Sequence, residues 1–561
     1  MWTLELPPFA PFYLGALLVL IPHHTLRCLA MLLVPVLGAI QLMLLPPLMQ
    51  VQMTFLGMEL TPYRVDKLAL LFGYIFHLAA FLAILYAFHV RDRVQQAAGL
   101  IYAGSGLGAV FAGDLVTLFI FWELLAFSSV FLVWARGTRR AYVTGLRYLV
   151  IQALSGVILL VGALFYWQEH GTLTFDYIGL SGMHGWLIFI ALGIKCAFPF
   201  LHNWLTEAYP EATPTGTVFL SAFTTKAAVY VLARSYPGTE LLVYIGAFMT
   251  CFPIFFAVIE NDLRRVLAYS MINQIGFMVC GIGIGTALAI NGAVAHAFND
   301  ILFKGLLFMA MGAVLHMTGR INGSDLGGLY KTMPKTTVFC LVGAASISAF
   351  PLFSGFVSKS LIMSAALDEG YHFIWLALLF ASAGVFHHAG IKIPYFAFFA
   401  HDAGIRSADP PGNMLAAMFI AALICIGIGL YPAALYRLLP LDMAYTPYDT
   451  THVLAQTQLL FFSALAFVWL NLARIYPPEL RSVNLDFEWV YRKLAPALIN
   501  QSVRITDAAK TLVSTAGERL VPLVNLAIRQ LTRLSRSSLT GSMVFRVVVV
   551  LATGLALGVS L

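Results

Sequence analysis

The chain has 561 residues, 60% of them hydrophobic and 11% charged, with a mean hydropathy of +0.85. A soluble domain carries roughly 25% charged residues, so a soluble fold of this length is excluded and the bilayer is the solvent. The formal charge of +7 does not indicate nucleic acid: the arginines fall in short connections, such as Arg91 with Arg93, Arg136 to Arg140, and Arg264 with Arg265, as expected of loops that orient a membrane protein.

Apolar windows long enough to span recur from about Pro11 to Leu472, and one more follows Met543. They are continuously apolar and lack the alternation of a transmembrane barrel, so the expected fold is an all-α polytopic membrane protein with about 14–16 transmembrane helices. The first apolar stretch has no basic leader or small-residue cleavage site and is expected to stay as a helix. Five regions follow in chain order: N-terminal transmembrane helices (1–112), a core with charges inside its apolar windows (113–400), plain helices (401–475), a polar and amphipathic extension (476–542), and a terminal membrane helix (543–561). Within the extension, Leu512, Leu520, Leu523, Val524, Ala527, Leu531 and Leu534 recur at helical spacing, with Lys510, Arg519, Arg529 and Arg533 on other faces. That pattern predicts an amphipathic helix lying along a membrane or a partner, or a short cytoplasmic helical hairpin. The six cysteines are scattered through apolar windows without metal-ligand spacing, so they read as packing residues.

The core carries the informative residues. Only ten lysines accompany twenty-three arginines, and Lys195, Lys226, Lys304 and Lys392 lie inside windows that otherwise read as spanning helices. A charge near the bilayer centre costs on the order of 2.5–3.5 kcal/mol on insertion scales. Lysine can shed its proton when buried and arginine cannot, so buried lysines suit a path that loads and releases protons. Snorkelling or static pairing is the structural alternative, and four such residues together argue against it.

Their neighbours agree. Glu123 is the one acid in LFIFWELLAF, with Asp114 near the start of that helix. His296, Asp300 and Lys304 fall at i, i+4 and i+8, which stacks three titratable groups on one helical face about 6 Å apart. His388 and Lys392 are again four apart; the adjacent His387 and His388 point away from each other, which disfavours a metal. GIKCAFP and GIKIP each set a lysine between a glycine and a proline, predicting helix breaks at Pro199 and Pro394. Two broken helices in corresponding positions indicate a transporter built from internal repeats.

Four stretches, LFIFWELLAFSSVFLV, GIKCAFPFLHNWLTEAYPEATPTGTVFLSAFTTKAAVYVLAR, ENDLRRVLAYSMINQIGFMV and DLGGLYKTMPKTTVFCLVGAASISAFPLFSGFVSK, resemble the antiporter-like subunits shared by Mrp-type multisubunit sodium/proton antiporters and respiratory complex I, most of all the D-type member of the former. The resemblance is close over about 120 to 360 and weaker over most of the first 475 residues. It implies two inverted five-helix repeats with broken helices, forming two half-channels joined by a polar axis. It implies that Glu123 pairs with Lys195, and that Lys226, Lys304 and Lys392 carry protons onward. The sequence departs from the family at Thr206, Glu207 and Tyr209, and at Asp300, where histidine is usual. Asp300 could hold Lys304 protonated. The tail beyond 475 loosely resembles the lateral helix and anchor of larger members.

The expectation is a proton-translocating subunit of a monovalent cation (Na+)/proton antiporter, with no catalytic centre, metal or cofactor of its own. It would sit with other integral membrane subunits in the lipid of a bacterial inner membrane, handling protons and Na+. Its alternatives are a proton-pumping membrane-arm subunit of a complex I-like or hydrogenase redox complex, a proton-channel subunit of an inorganic-carbon uptake complex, and a scaffold with statically paired lysines.

Overall fold

The computed structural model describes residues 6–46, 48–55, 57–481, 484–534 and 546–550. It divides into two compact units, Met1–Asn484 and Leu485–Leu561. In the first, eleven helices are long and apolar enough to cross a bilayer, from His24–Leu44 to Thr450–Leu472. Three shorter apolar helices, Ala10–Leu20, Gly182–Lys195 and Pro334–Ile347, add to them. The last two each turn through an elbow into a second helix, Asn203–Glu211 and Ser354–Asp368. The protein is therefore a multi-pass α-helical membrane protein. Its strands among the described residues are one hairpin, Gln50–Phe55 against Met58–Arg64, with Gln50 opposite Arg64.

The core is built twice. Asp114 caps Leu115–Trp134 by accepting from the Thr117 N–H, and Asp262 caps Leu263–Ile284 by accepting from the Arg264 and Arg265 N–H groups. Each aspartate also forms an isolated antiparallel bridge, to Thr174 and Asn322 respectively. The next helices, Arg139–His170 and Ala287–Thr318, are both 32 residues long. Both start at a threonine cap (Thr138, Thr286) and end at a left-handed glycine (Gly171, Gly319), the residue that takes this conformation without a Cβ penalty.

The elbows repeat as well. Ala197 and Phe200 have φ of 59° and 70°, and Ala349 and Leu352 have 56° and 74°. The Phe198 N–H donates to the Gly193 carbonyl and the Phe350 N–H to that of Ala345. Each elbow contains Ala-Phe-Pro, with Pro199 in one and Pro351 in the other; the missing proline N–H and the strained alanine end the helix there.

The second interruption therefore lies at Ser348–Phe353 and not at Pro394. Residues His372–Phe399 run on as one helical segment, widened into π-helical turns at Phe386–Lys392 and Tyr395–Phe399. The wider turns accommodate the proline without parting the chain.

The repeats cross in opposite senses. Gly113 bonds Thr61, Arg64 pairs with Asp176 and Arg234 with Asp66, which gathers the turns at 61–66, 112–114 and 171–181 on one face. Arg136 bonds the Pro210 carbonyl, Lys331 pairs with Asp402 and Arg481 with Asp325, which gathers those at 135–138, 210–215, 319–333, 400–411 and 473–481 on the other. This second face also bears Arg91, Arg93, Arg139, Arg140, Arg265 and Arg320, and we call it the basic face. Arg264 is not a loop residue there. It is 1% exposed and donates to the Pro210 and Ala212 carbonyls, satisfying the end of Asn203–Glu211.

In the second unit, Ala495–Leu534 is a single 40-residue helix. The expected terminal membrane helix at 543–561 lies outside the described residues except for 546–550.

Candidate functional site

The charged residues expected inside the helices are buried there. Lys195, Lys226, His296, Asp300, Lys304, His388 and Lys392 are all 0% exposed, and Glu123 is half-buried. What each touches separates fixed contacts from ionic ones.

Lys195 ends the helix Gly182–Lys195, at the lip of the first elbow. Its Nζ donates to the Trp122 carbonyl at 2.5 Å and stands 4.6 Å from the Trp122 ring centroid. The indole in turn donates to Ser155, whose hydroxyl donates to the Ala191 carbonyl, so the lysine, Trp122 and Ser155 form one small polar cluster. Glu123, next in sequence to Trp122, lies against Gly156, where any Cβ would collide with Oε1. That Oε1 has no hydrogen-bond partner among the described residues. Glu123 and Lys195 are neighbours of one polar cluster but do not form a contact ion pair here.

The ion pair at the centre is a different one. Lys226 Nζ lies 2.6 Å from Asp300 Oδ2, with neither side chain exposed. Lys226 stands just past a break at Phe223, between the helices Gly216–Ala222 and Thr224–Ser235, and also donates to the Ser221 carbonyl. The direct ion pair of Asp300 is therefore with Lys226 and not with Lys304. One turn further along Ala287–Thr318, Lys304 donates to the Ser270 hydroxyl at 2.8 Å. One turn the other way, His296 meets Ser358 through Nδ1 at 3.0 Å and Gln274 through Nε2 at 3.1 Å.

Ser358 leads to a lysine absent from the sequence-based set. Lys359, 3% exposed, donates to the Ile347 carbonyl at the second elbow and lies 4.9 Å from the Phe277 ring. It lines a cavity of about 160 Å³ with Ala349, Ser360, Ser364, His452 and Gln456. Ser364 is bonded to His452 Nε2, and His452 Nδ1 to Asp449, at the start of the Thr450–Leu472 helix on the face opposite the basic one. The signal for Lys359 was present, since it closes the stretch SGFVSK.

Lys392 occupies the other end. It donates to the carbonyls of Ala257, Val258 and Glu260, at the end of Glu240–Ile259, and pairs with Glu479 at 2.9 Å. Burial pushes the Glu479 carboxyl above its ordinary range, against the opposing pull of the Lys392 ammonium. Glu479, like Lys359, was not anticipated, because a contact across 87 positions leaves no local pattern. It borders a cleft of about 510 Å³ with Gly323, Ser324, His401 and Arg474 on the basic face. His388, four residues before Lys392, does not touch it.

The twice-built helical core thus buries a set of lysines and acids, with a cavity beside Lys359 and a cleft beside Glu479. Residues 112–385 match the model of the family described as NADH:quinone oxidoreductase/Mrp antiporter, TM. The chain is similar to the antiporter-like membrane subunits that Mrp-type antiporters and complex I share.

Among its relatives, a probable K(+)/H(+) antiporter subunit of the A/B type from Rhizobium meliloti is 30% identical over 67% of this chain, which spans only 41% of that protein. A Na(+)/H(+) antiporter subunit of the D type from Alkalihalophilus pseudofirmus is 29% identical, with 61% of this chain and 73% of the relative covered. Among solved structures, a chain of the Mrp complex from Dietzia sp. superposes with a TM-score of 0.68 at 20% identity, covering 82% of this chain and 97% of its own. A chain of the membrane-bound sulfane sulfur reductase, an archaeal respiratory membrane complex, gives 0.72 at 22%, covering 98% and 99%. Both likenesses establish the fold, and both structures are of multisubunit membrane complexes.

Proposed function

We propose that this chain is the proton-translocating subunit of a multisubunit monovalent cation (Na+)/proton antiporter. The observation that carries the reading is the fully buried Lys226–Asp300 pair, set between Lys195 at the first elbow and the run Lys304, His296 and Lys359 at the second. An ion pair at a helix break stores a charge that a neighbouring charge can displace, and a displaced lysine releases its proton. Glu123 sets the state of Lys195; Lys226 and Asp300 relay it; Lys304, His296 and Lys359 pass the proton toward His452. Lys392 with Glu479 and His388 opens the line toward the basic face. By the charge rule for short loops that face is cytoplasmic, in a bacterial inner membrane.

The test is proton flux in vesicles carrying the intact complex, driven by a sodium gradient. Lys226→Ala and Lys304→Ala complexes that assemble are expected to lose it. Assembled variants with normal flux would sink the reading. A second reading, a membrane-arm subunit of a redox complex, is supported by the match of 98% of this chain, extension included, to a respiratory membrane subunit. Co-purifying iron–sulfur or flavin subunits would decide for it.

A further inference from the structure

We propose that Glu169, His170 and His184 bind a transition-metal dication of the zinc class on the face opposite the basic one, fastening two membrane helices together. Glu169 and His170 end the helix Arg139–His170, and His184 stands in the first turn of Gly182–Lys195. One ligand atom from each lies within 4.8 Å of the other two. His184 Nδ1 is already 2.9 Å from Glu169 Oε2, near the roughly 3.3 Å that separates two ligands on a tetrahedral zinc with bonds of about 2.0–2.1 Å. A closure of at most about 1.5 Å from the 4.8 Å bound completes a His2Glu set, with water as the fourth ligand.

Three further observations favour a ligand site over a packed histidine. His170 Nδ1 contacts the Tyr166 carbonyl, the outer contact that fixes the tautomer of a metal-binding imidazole and leaves Nε2 free. His184 is 1% exposed, and the hydrogen-bond partner of its ring among the described residues is Glu169, a member of the same ligand set. Gly182, at φ +60°, leaves open the space where a Cβ would press on His184 Nδ1 at 2.9 Å and Glu169 Oε2 at 3.2 Å. The Tyr166 ring stacks on His170 at 4.4 Å, and the His170 ring stands perpendicular to His184 at 5.0 Å, so the rings are held before any metal arrives. A nitrogen and carboxylate set of this kind suits zinc rather than the hard cations magnesium or calcium. The three residues come from two helices joined by an eleven-residue connection, which is why spacing in the sequence gave no metal signal.

The site stands apart from the proton line and does not depend on it. Full-length protein, stripped with a chelator and kept in mild detergent, is titrated with zinc chloride. One bound zinc per chain is expected, with a raised melting temperature. His170→Ala and Glu169→Gln, both at exposed positions, are expected to weaken binding by about tenfold to a hundredfold and to abolish the thermal shift. The X-ray absorption edge of the bound zinc should show nitrogen and oxygen neighbours. Absence of bound zinc in the wild-type protein, unchanged affinity in both variants, or a sulfur neighbour would each overturn the site.

Discussion

Lys226 and Asp300 meet at 2.6 Å with neither side chain exposed, and they come from helices on either side of the junction between the two repeats. Removing one partner of a buried pair leaves an uncompensated charge, which costs about 3–5 kcal/mol. Asp300→Asn should therefore lower the stability of the purified protein by that order, while Asp300→Asn combined with Lys226→Met should recover most of it. Melting curves of the two variants check this; equal losses in both would mean that the pair is not the source of the cost.

Gly156 is where the first half makes room for Glu123. Gly156→Ala puts a methyl group on the carboxylate, which must swing away, although the overpacking itself costs only about 1–3 kcal/mol. Proton flux should fall as far as in Glu123→Gln, with assembly retained. Wild-type flux in Gly156→Ala would show that the position of this carboxylate does not matter.

The elbows hold two alanines in the left-handed region. Such a residue costs roughly 1–2 kcal/mol, so Ala197→Gly and Ala349→Gly should each leave stability unchanged or raise it, and Ala197→Val and Ala349→Val should each lower it. Thermal melting of the four proteins tests whether the two elbows carry the same strain.

Lys359 sits between the second elbow and the cavity that reaches His452. Lys359→Ala should slow proton flux by about tenfold, equivalent to roughly 1.4 kcal/mol on the barrier. Ser364→Cys should react with a membrane-impermeant thiol reagent added from the face opposite the basic one and from no other. Labelling from the basic face alone would contradict the cavity's orientation.

The Glu479 carboxyl, held up by burial, takes its proton at higher pH than a surface glutamate. A raised folded-state pKa means that the native state binds this proton more tightly than the unfolded chain does. The contribution is thus fully present below the ordinary glutamate value near 4.3 and is lost as pH rises through the folded value. Glu479→Gln should flatten that part of the melting-temperature profile against pH.

Much of this arrangement is legible from residue type and place. Lysine inside an apolar window pointed to Lys195, Lys226 and Lys304, and the Gly-to-Pro segment around Lys195 gave the first elbow. The same reasoning misplaced the second, because Gly390 to Pro394 carries the same lysine signature while the true counterpart carries none. The repeat resides in backbone geometry, in Ala197-Phe-Pro and Ala349-Phe-Pro, and not in charge. Partner choice was illegible for a different reason. Asp300 is a helical turn from Lys304 in sequence, yet Lys226 reaches it across the junction, and Glu479 meets Lys392 from beyond the helix Thr450–Leu472.

The paired elbows have one more consequence. A scaffold made of two like halves facing opposite ways has no arrow of its own, since turning it over returns the same backbone. In this chain Lys195, two residues before Ala197, is matched by Ile347 before Ala349, and Glu207, ten residues after the first alanine, is matched by Lys359 after the second. The first half carries a lysine before its elbow and an acid after it, and the second carries a lysine only after it. Whatever sense of travel the molecule imposes is written in those few differing side chains, on a frame that would otherwise conduct alike both ways.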